Sequence, residues 1–200
     1  GLLSDTLKNL ASSVDEVYGI CMYHPSGTQD FHVFINGKGG MLEQWIISGE
    51  NDGLHGDMVR SFMLSSQPEG MVASDPTGKI YLGVEMEGIF ILDANPESDT
   101  ALVKIPGSDS TNPNIVYDIE GLALFTFRDE EFLIASSQGN FSYAIFRPGR
   151  QDAYLTSFIL TDGIVDGVEE TDGLEVITLP LNKEFRQGLL VVQDGFNKDG

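Results

Sequence analysis

Short apolar runs recur along the chain, separated by Gly, Pro, Asp and Asn: FHVFIN, KIYLGV, GIFILD, LALFTF, EFLIAS, SYAIFR, LEVITL and GLLVVQ. Runs of about 4–8 residues bounded by turn formers predict strands. Helical spacing is confined to LSDTLKNLASSVDE near the start, which predicts one short helix capped by Ser4. The pattern therefore predicts an all-β chain.

The runs are periodic. VYGICMYHPSG, PEGMVASDPTG, IEGLALFTFRD and TDGLEVITLPL each set a polar residue and a glycine before an apolar strand, a turn and a second strand. The repeat glycines are Gly19, Gly70, Gly121 and Gly173, at intervals of 51, 51 and 52 residues. The second strands end in INGKGG, GVEMEG, ASSQGN and VVQDG, and a third strand follows in three units as LEQWIIS, GIFILDA and SYAIFRP. A period near 50 residues with several strands per unit predicts the blades of a β-propeller. One domain over 1–200 is expected, with about four blades starting near residues 18, 69, 120 and 172.

Blades radiate from an axis, so equivalent positions form a ring. The residue before each repeat glycine is Tyr18, Glu69, Glu120 or Asp172, with Asp118 and Glu85 expected alongside. Two carboxylates about 5 Å apart, at an effective dielectric of about 20, repel by roughly 3 kcal/mol. Full solvation, a retained proton or a cation relieves this repulsion. Oxygen-only donors without paired His or Cys point to a hard ion, calcium before magnesium or manganese and well before zinc.

Charge sharpens that reading. With 11 Lys and Arg against 31 Asp and Glu, the net charge is −20, which argues against non-specific affinity for nucleic acid or an anionic membrane. An anionic ligand would need help from a cation. The single cysteine, Cys21, rules out an internal disulfide, no apolar run reaches membrane-spanning length, and the start reads as a mature or trimmed end without a signal peptide.

Other chemistries find no support. DGIVDGVEETDG from Asp162 fails as an EF-hand, because Ile164 occupies the third ligand position and Gly173 the twelfth. His24, His32 and His55 lack metal-ligand spacing, and there is no G-x-S-x-G elbow. NFS at Asn140 reads as an incidental match to a glycosylation acceptor, and Trp45 and the phenylalanines read as blade packing.

QPEGMVASD, DIEGLALF, LIASSQGNFSYAIF, DGVEETDGLEV and GLLVVQDG, spread from Tyr18 to Asn197, resemble the β-propeller phytases. These are calcium-dependent 3-phytases of six-bladed fold that release phosphate from myo-inositol hexakisphosphate. The resemblance implies that Glu69, Glu85, Asp118, Glu120 and Asp172 hold a catalytic calcium cluster, with Tyr18 binding calcium or phosphate. It implies that Lys38, in NGKGG, grips substrate phosphate as a point charge. It also assigns Asp166, Gly167, Asp194 and Asn197 to calcium sites that stabilise the propeller, one of them weakened by Phe196 where relatives carry an acid.

Inositol phosphates as calcium salts are the implied substrate, several Ca²⁺ ions the cofactor, and a secreted or periplasmic setting the location. Six blades of about 50 residues need roughly 300. Amino-terminal and carboxy-terminal parts of the propeller are therefore expected to be missing, leaving an open edge to pair with the missing blades or with another chain. Two alternatives remain at this point: a non-catalytic, calcium-stabilised binding or scaffold propeller, and another calcium-dependent propeller hydrolase such as a lactonase.

Overall fold

A computed structural model describes residues 8–50, 53–99 and 101–197. Three antiparallel meanders of four strands each follow one another in the chain. The first comprises β1 (Val17–Tyr23), β2 (Phe31–Gly37), β3 (Met41–Glu50) and β4 (Gly53–Met63). The second comprises β5 (Pro68–Ser74), β6 (Lys79–Val84), β7 (Gly88–Asp93) and β8 (Val103–Lys104). The third comprises β9 (Ile119–Phe127), β10 (Glu130–Ser137), β11 (Ser142–Phe146) and β12 (Tyr154–Ile159). A fourth sheet pairs β13 (Leu174–Ile177) with β14 (Leu189–Val192). The chain is thus nearly all-β, with four antiparallel sheets whose first strands begin at Val17, Pro68, Ile119 and Leu174.

Alternation explains how each blade finds its neighbour. Along β2 the side chains of His32, Phe34 and Asn36 are buried on one face, whereas Val33 and Ile35 are only half-buried on the other. Three apolar cores form between successive blades. Phe34, Leu42, Met71, Ile80 and Leu82 join the first to the second. Tyr81, Ile89, Ile119, Leu133 and Phe146 join the second to the third. Ala123, Ile134 and Tyr143 meet Leu174, Val176 and Leu190 of the fourth. A fully buried Phe34 or Leu42 contributes about 1.5–3 kcal/mol, so each interface outweighs any single surface ion pair. Both flanks of the array expose apolar side chains, Ile20 on β1 at 68% and Leu179 beyond β13 at 69%.

The repeat glycines mark where innermost strands touch. β5 lies against β1 and β9, and β9 against β13. A Cβ on Gly19 would lie 2.8 Å from the Glu69 carbonyl, one on Gly70 2.5 Å from the Glu120 carbonyl, and one on Gly121 2.7 Å from the Asp172 carbonyl. Gly173, on the open flank, would meet nothing within 4 Å. None of these four has a left-handed backbone, so the repeat uses the missing side chain and not glycine's conformational freedom.

Two expectations need correction. Ser4 lies outside the described residues, but Lys8–Val14 forms no helix. The segment instead runs across the first blade, because its side chains gain more there than a lone short helix would. Leu10 shares a pocket with Val33, Ile35, Trp45 and Ile47. Ser12 Oγ and Ser13 N donate to Glu43 at 2.8 and 2.9 Å, Ser13 Oγ donates as well, and Trp45 Nε1 adds a bond at 2.9 Å. Burial alone would raise the Glu43 carboxyl, but these donors outweigh it and hold the group below the usual carboxylate range. The second correction concerns β4, β8 and β12, which were not anticipated. They are outermost strands with little apolar alternation, and β8 has only two residues.

The close approach at the axis yields a test. Gly121→Ala should cost about 1–3 kcal/mol through overpacking, which lowers the melting temperature by several degrees in a chain of this size. Gly173→Ala in the same 200-residue chain should leave it unchanged, and calorimetry of the two variants decides.

Candidate functional site

A register shift in the inner strand accompanies the ring position of each complete blade. Val17 and Gly19 pair with the adjacent Gly37 and Asn36, so Tyr18 is extra. Between Pro68 and Met71 the pairing slips at Glu69–Gly70, and opposite Ser136 it slips at Glu120–Gly121. Bulges re-aim side chains. Here they occur where Tyr18, Glu69 and Glu120 leave the strand plane, at one mouth of the arc.

The electrostatics show that the expected residues converge. Glu120 is 8% exposed and Glu69 2%. Burial first, then a hydrogen bond to Glu69 and the charges of Glu69, Asp172 and Asp118, push the Glu120 carboxyl from 4.5 up to about 8. Glu69 is also raised, by burial and by the charges of Glu85 and Asp118, against bonds from Gln67 and Glu120 that pull it down. Near neutrality Glu120 therefore keeps its proton, beside a Glu69 that is itself reluctant to ionise. Tyr18 is lifted to about 12 by burial and by the charges of Glu69, Glu120 and Asp172, so its phenol remains a donor. Lys38 reaches the same mouth, its Nζ 5.1 Å from the centre of the Tyr18 ring.

Six candidates, Tyr18, Glu69, Glu85, Asp118, Glu120 and Asp172, thus lie close enough to influence one another electrostatically, with Lys38 beside Tyr18. The other four lie apart, in loops of the fourth blade. Gly167 N–H donates to Asp162 Oδ1 at 2.9 Å in the turn that also holds Asp166. Asp194 Oδ1 accepts from the Glu169 and Phe196 amides at 3.2 and 3.4 Å, and Asn197 is exposed beside it. Asp194 therefore serves first as a turn former that ties two loops together.

Carboxamides near the ring were not read from the sequence. Asn36 accepts from Gly19 N–H at 2.8 Å and donates to the Glu69 carbonyl at 2.9 Å, clasping two blades. Gln67 Nε2 donates to Glu69 Oε1 at 2.5 Å, Gln138 Nε2 to Asp172 Oδ1 at 2.7 Å, and the Asp172 amide to Gln193 Oε1 at 2.8 Å. The signal was available in the repeat, because three of these residues stand at the ends of second strands.

Does the site suit a hard cation? Among the described residues no three acidic, His or Cys side chains converge tightly enough to grip an ion as they stand. The donor set nevertheless fits: it is all oxygen, and Glu69 Oε2 is buried without a partner. A buried, unpaired carboxylate oxygen is costly unless a proton or cation meets it.

Fold and site together define a partial β-propeller with an acidic axial mouth. The Phytase family model matches residues 2–200. The chain is 35% identical over 200 residues to the 3-phytase of Bacillus subtilis (strain 168), an alignment covering 98% of this chain and 52% of that protein. The chain belongs to the phytase family, and it spans about half the length of the curated relative it matches. Among solved structures it is similar to U3-55K, with a TM-score of 0.52, 13% identity and coverage of 83% of this chain and 44% of that one. It is also similar to the WD40 domain of SCAP from fission yeast, with a TM-score of 0.52, 15% identity and coverage of 78% and 34%. At such low identity these two likenesses bear on the propeller fold alone.

The proton kept by Glu120 has a signed consequence for metal-free protein. Glu120's folded pKa of about 8 lies above its ordinary 4.5, so the folded state binds the extra proton between these values. Stability from this group is therefore greatest below about pH 4.5 and lost as pH rises through about 8. Glu120→Gln in the presence of chelator should melt higher than the parent at pH 8, by an amount on the order of a few kcal/mol, with the gap closing at pH 5. Thermal unfolding at the two pH values measures it.

Proposed function

We propose that the polypeptide carrying this chain is a calcium-dependent phosphomonoester hydrolase that releases phosphate from phytate. The observation that carries the reading is the gathering of five carboxylates near one mouth, with Glu69 and Glu120 almost fully buried among them. Glu69, Glu85, Asp118, Glu120 and Asp172 would hold the ions, and the buried Glu69 Oε2 is the oxygen most in need of one. Bound there, calcium would supply charge neutralisation and a more acidic water.

The chain's own groups do the rest. Lys38 attracts a phosphate to the rim. Tyr18, its phenol raised to about 12, stays protonated at neutral pH and offers a hydrogen bond to a phosphate oxygen. Because the net charge is −20, a polyanionic substrate is best accepted as its calcium salt. Asp166, Gly167, Asp194 and Asn197 are assigned to a second, structural calcium region in the fourth blade. The apolar flanks at Ile20 and Leu179 are assigned to further blades that complete the ring, and the setting to the cell exterior or periplasm.

The test uses the full-length polypeptide, phytate and added Ca²⁺, with liberated inorganic phosphate as readout. Activity should vanish with a strong chelator and return with calcium. Glu69→Gln and Glu120→Gln should each lose about a hundredfold. Phosphate release that survives the chelator defeats the proposal.

A further inference from the structure

The backbone places three residues of successive blades at one equivalent position beside the mouth. Lys38, Glu85 and Gln138 are each the first residue after a second strand, following β2, β6 and β10. Each donates its backbone N–H to the carbonyl two residues before the ring residue of its own blade: Lys38 to Glu16 at 3.3 Å, Glu85 to Gln67 at 2.8 Å, and Gln138 to Asp118 at 2.8 Å. They form a second ring concentric with Tyr18, Glu69 and Glu120. Lys38 and Glu85 already have roles at the mouth under the reading above, and Gln138 had none.

From this equivalence, and from its bond to Asp172, we infer that Gln138 is a positioning residue of the site. Its Nε2 donates to Asp172 Oδ1 at 2.7 Å across the interface between third and fourth blades. Asp172 is exposed, two residues before β13 of the two-stranded sheet at the flank of the array, so its carboxylate lacks the packing that fixes Glu69 and Glu120. The Gln138 amide supplies that restraint. It engages only Asp172 Oδ1, and being neutral it adds no further negative charge. A carboxylate at this position, as at Glu85, could not donate the bond.

The inference rests on the metal reading, and the experiment separates the two. Calcium binding to the full-length polypeptide is titrated calorimetrically for the parent, Gln138→Met, which keeps the length but cannot donate, and Gln138→Ala. Melting in excess chelator is recorded in parallel. Both variants should bind calcium about tenfold more weakly or worse and raise KM for phytate at limiting calcium, with unchanged melting in chelator. Affinity within twofold of the parent, with or without a lowered melting point, assigns Gln138 to the framework and overturns the inference while the metal reading stands. A parent that takes up no calcium overturns both.

Discussion

The structure depends on backbone meeting backbone at the axis. Inner strands can approach to the distances found at Gly19, Gly70 and Gly121 only if one partner carries no side chain. That contact fixes the radius of the arc, and the radius fixes how closely the residues before the glycines must sit. With tyrosine and carboxylates in those places, crowded negative charge follows directly from the packing. The apolar cores between blades, with Phe34, Leu82 and Phe146 fully buried, supply the free energy that holds this arrangement against its own repulsion.

The charge is distributed unevenly around the mouth, and burial explains the gradient. Glu69 and Glu120 sit between blades and are almost fully enclosed, so loss of solvent is the strongest influence raising both. Asp172, at the flank, is open to solvent. Without a metal, the enclosed pair answers repulsion by keeping a proton on Glu120 near neutrality. Under the proposed function a divalent ion would take that proton's place, and its uptake would release a proton. Tyr18 and Lys38 contribute a donor and a cation at the mouth, where the ammonium lies over the phenol ring.

The repeat and the ring were legible because they are written in residue type and spacing. Gly19, Gly70, Gly121 and Gly173 recur every 51 or 52 residues, and the residue before each was enough to anticipate the converging acids. The outer strands β4, β8 and β12 were not legible, since an outermost strand has one sheet neighbour and needs no apolar alternation. The start of the chain misled for a different reason. Ser12 and Ser13 fit a helix by local pattern, yet they serve the buried Glu43, whose need for donors is a tertiary fact. The bulges at Tyr18, Glu69 and Glu120 depend on two strands at once, and neither strand announces them alone.

Repetition supplies positions, and chemistry comes from breaking the repetition. The place held by Lys38 in the first blade is held by Glu85 in the second and Gln138 in the third, so a cation, an anion and a neutral amide occupy one backbone geometry. The inner ring differs likewise, from phenol to glutamate to aspartate. An array with identical residues at every blade would have a symmetric field at its centre and no preferred direction for a ligand. In this chain Lys38 and Tyr18 lie on one side and the carboxylates of the later blades on the other. Under the proposed function, that asymmetry would orient a phosphate and its counter-ions through the framework itself, which is what electrostatic preorganisation requires.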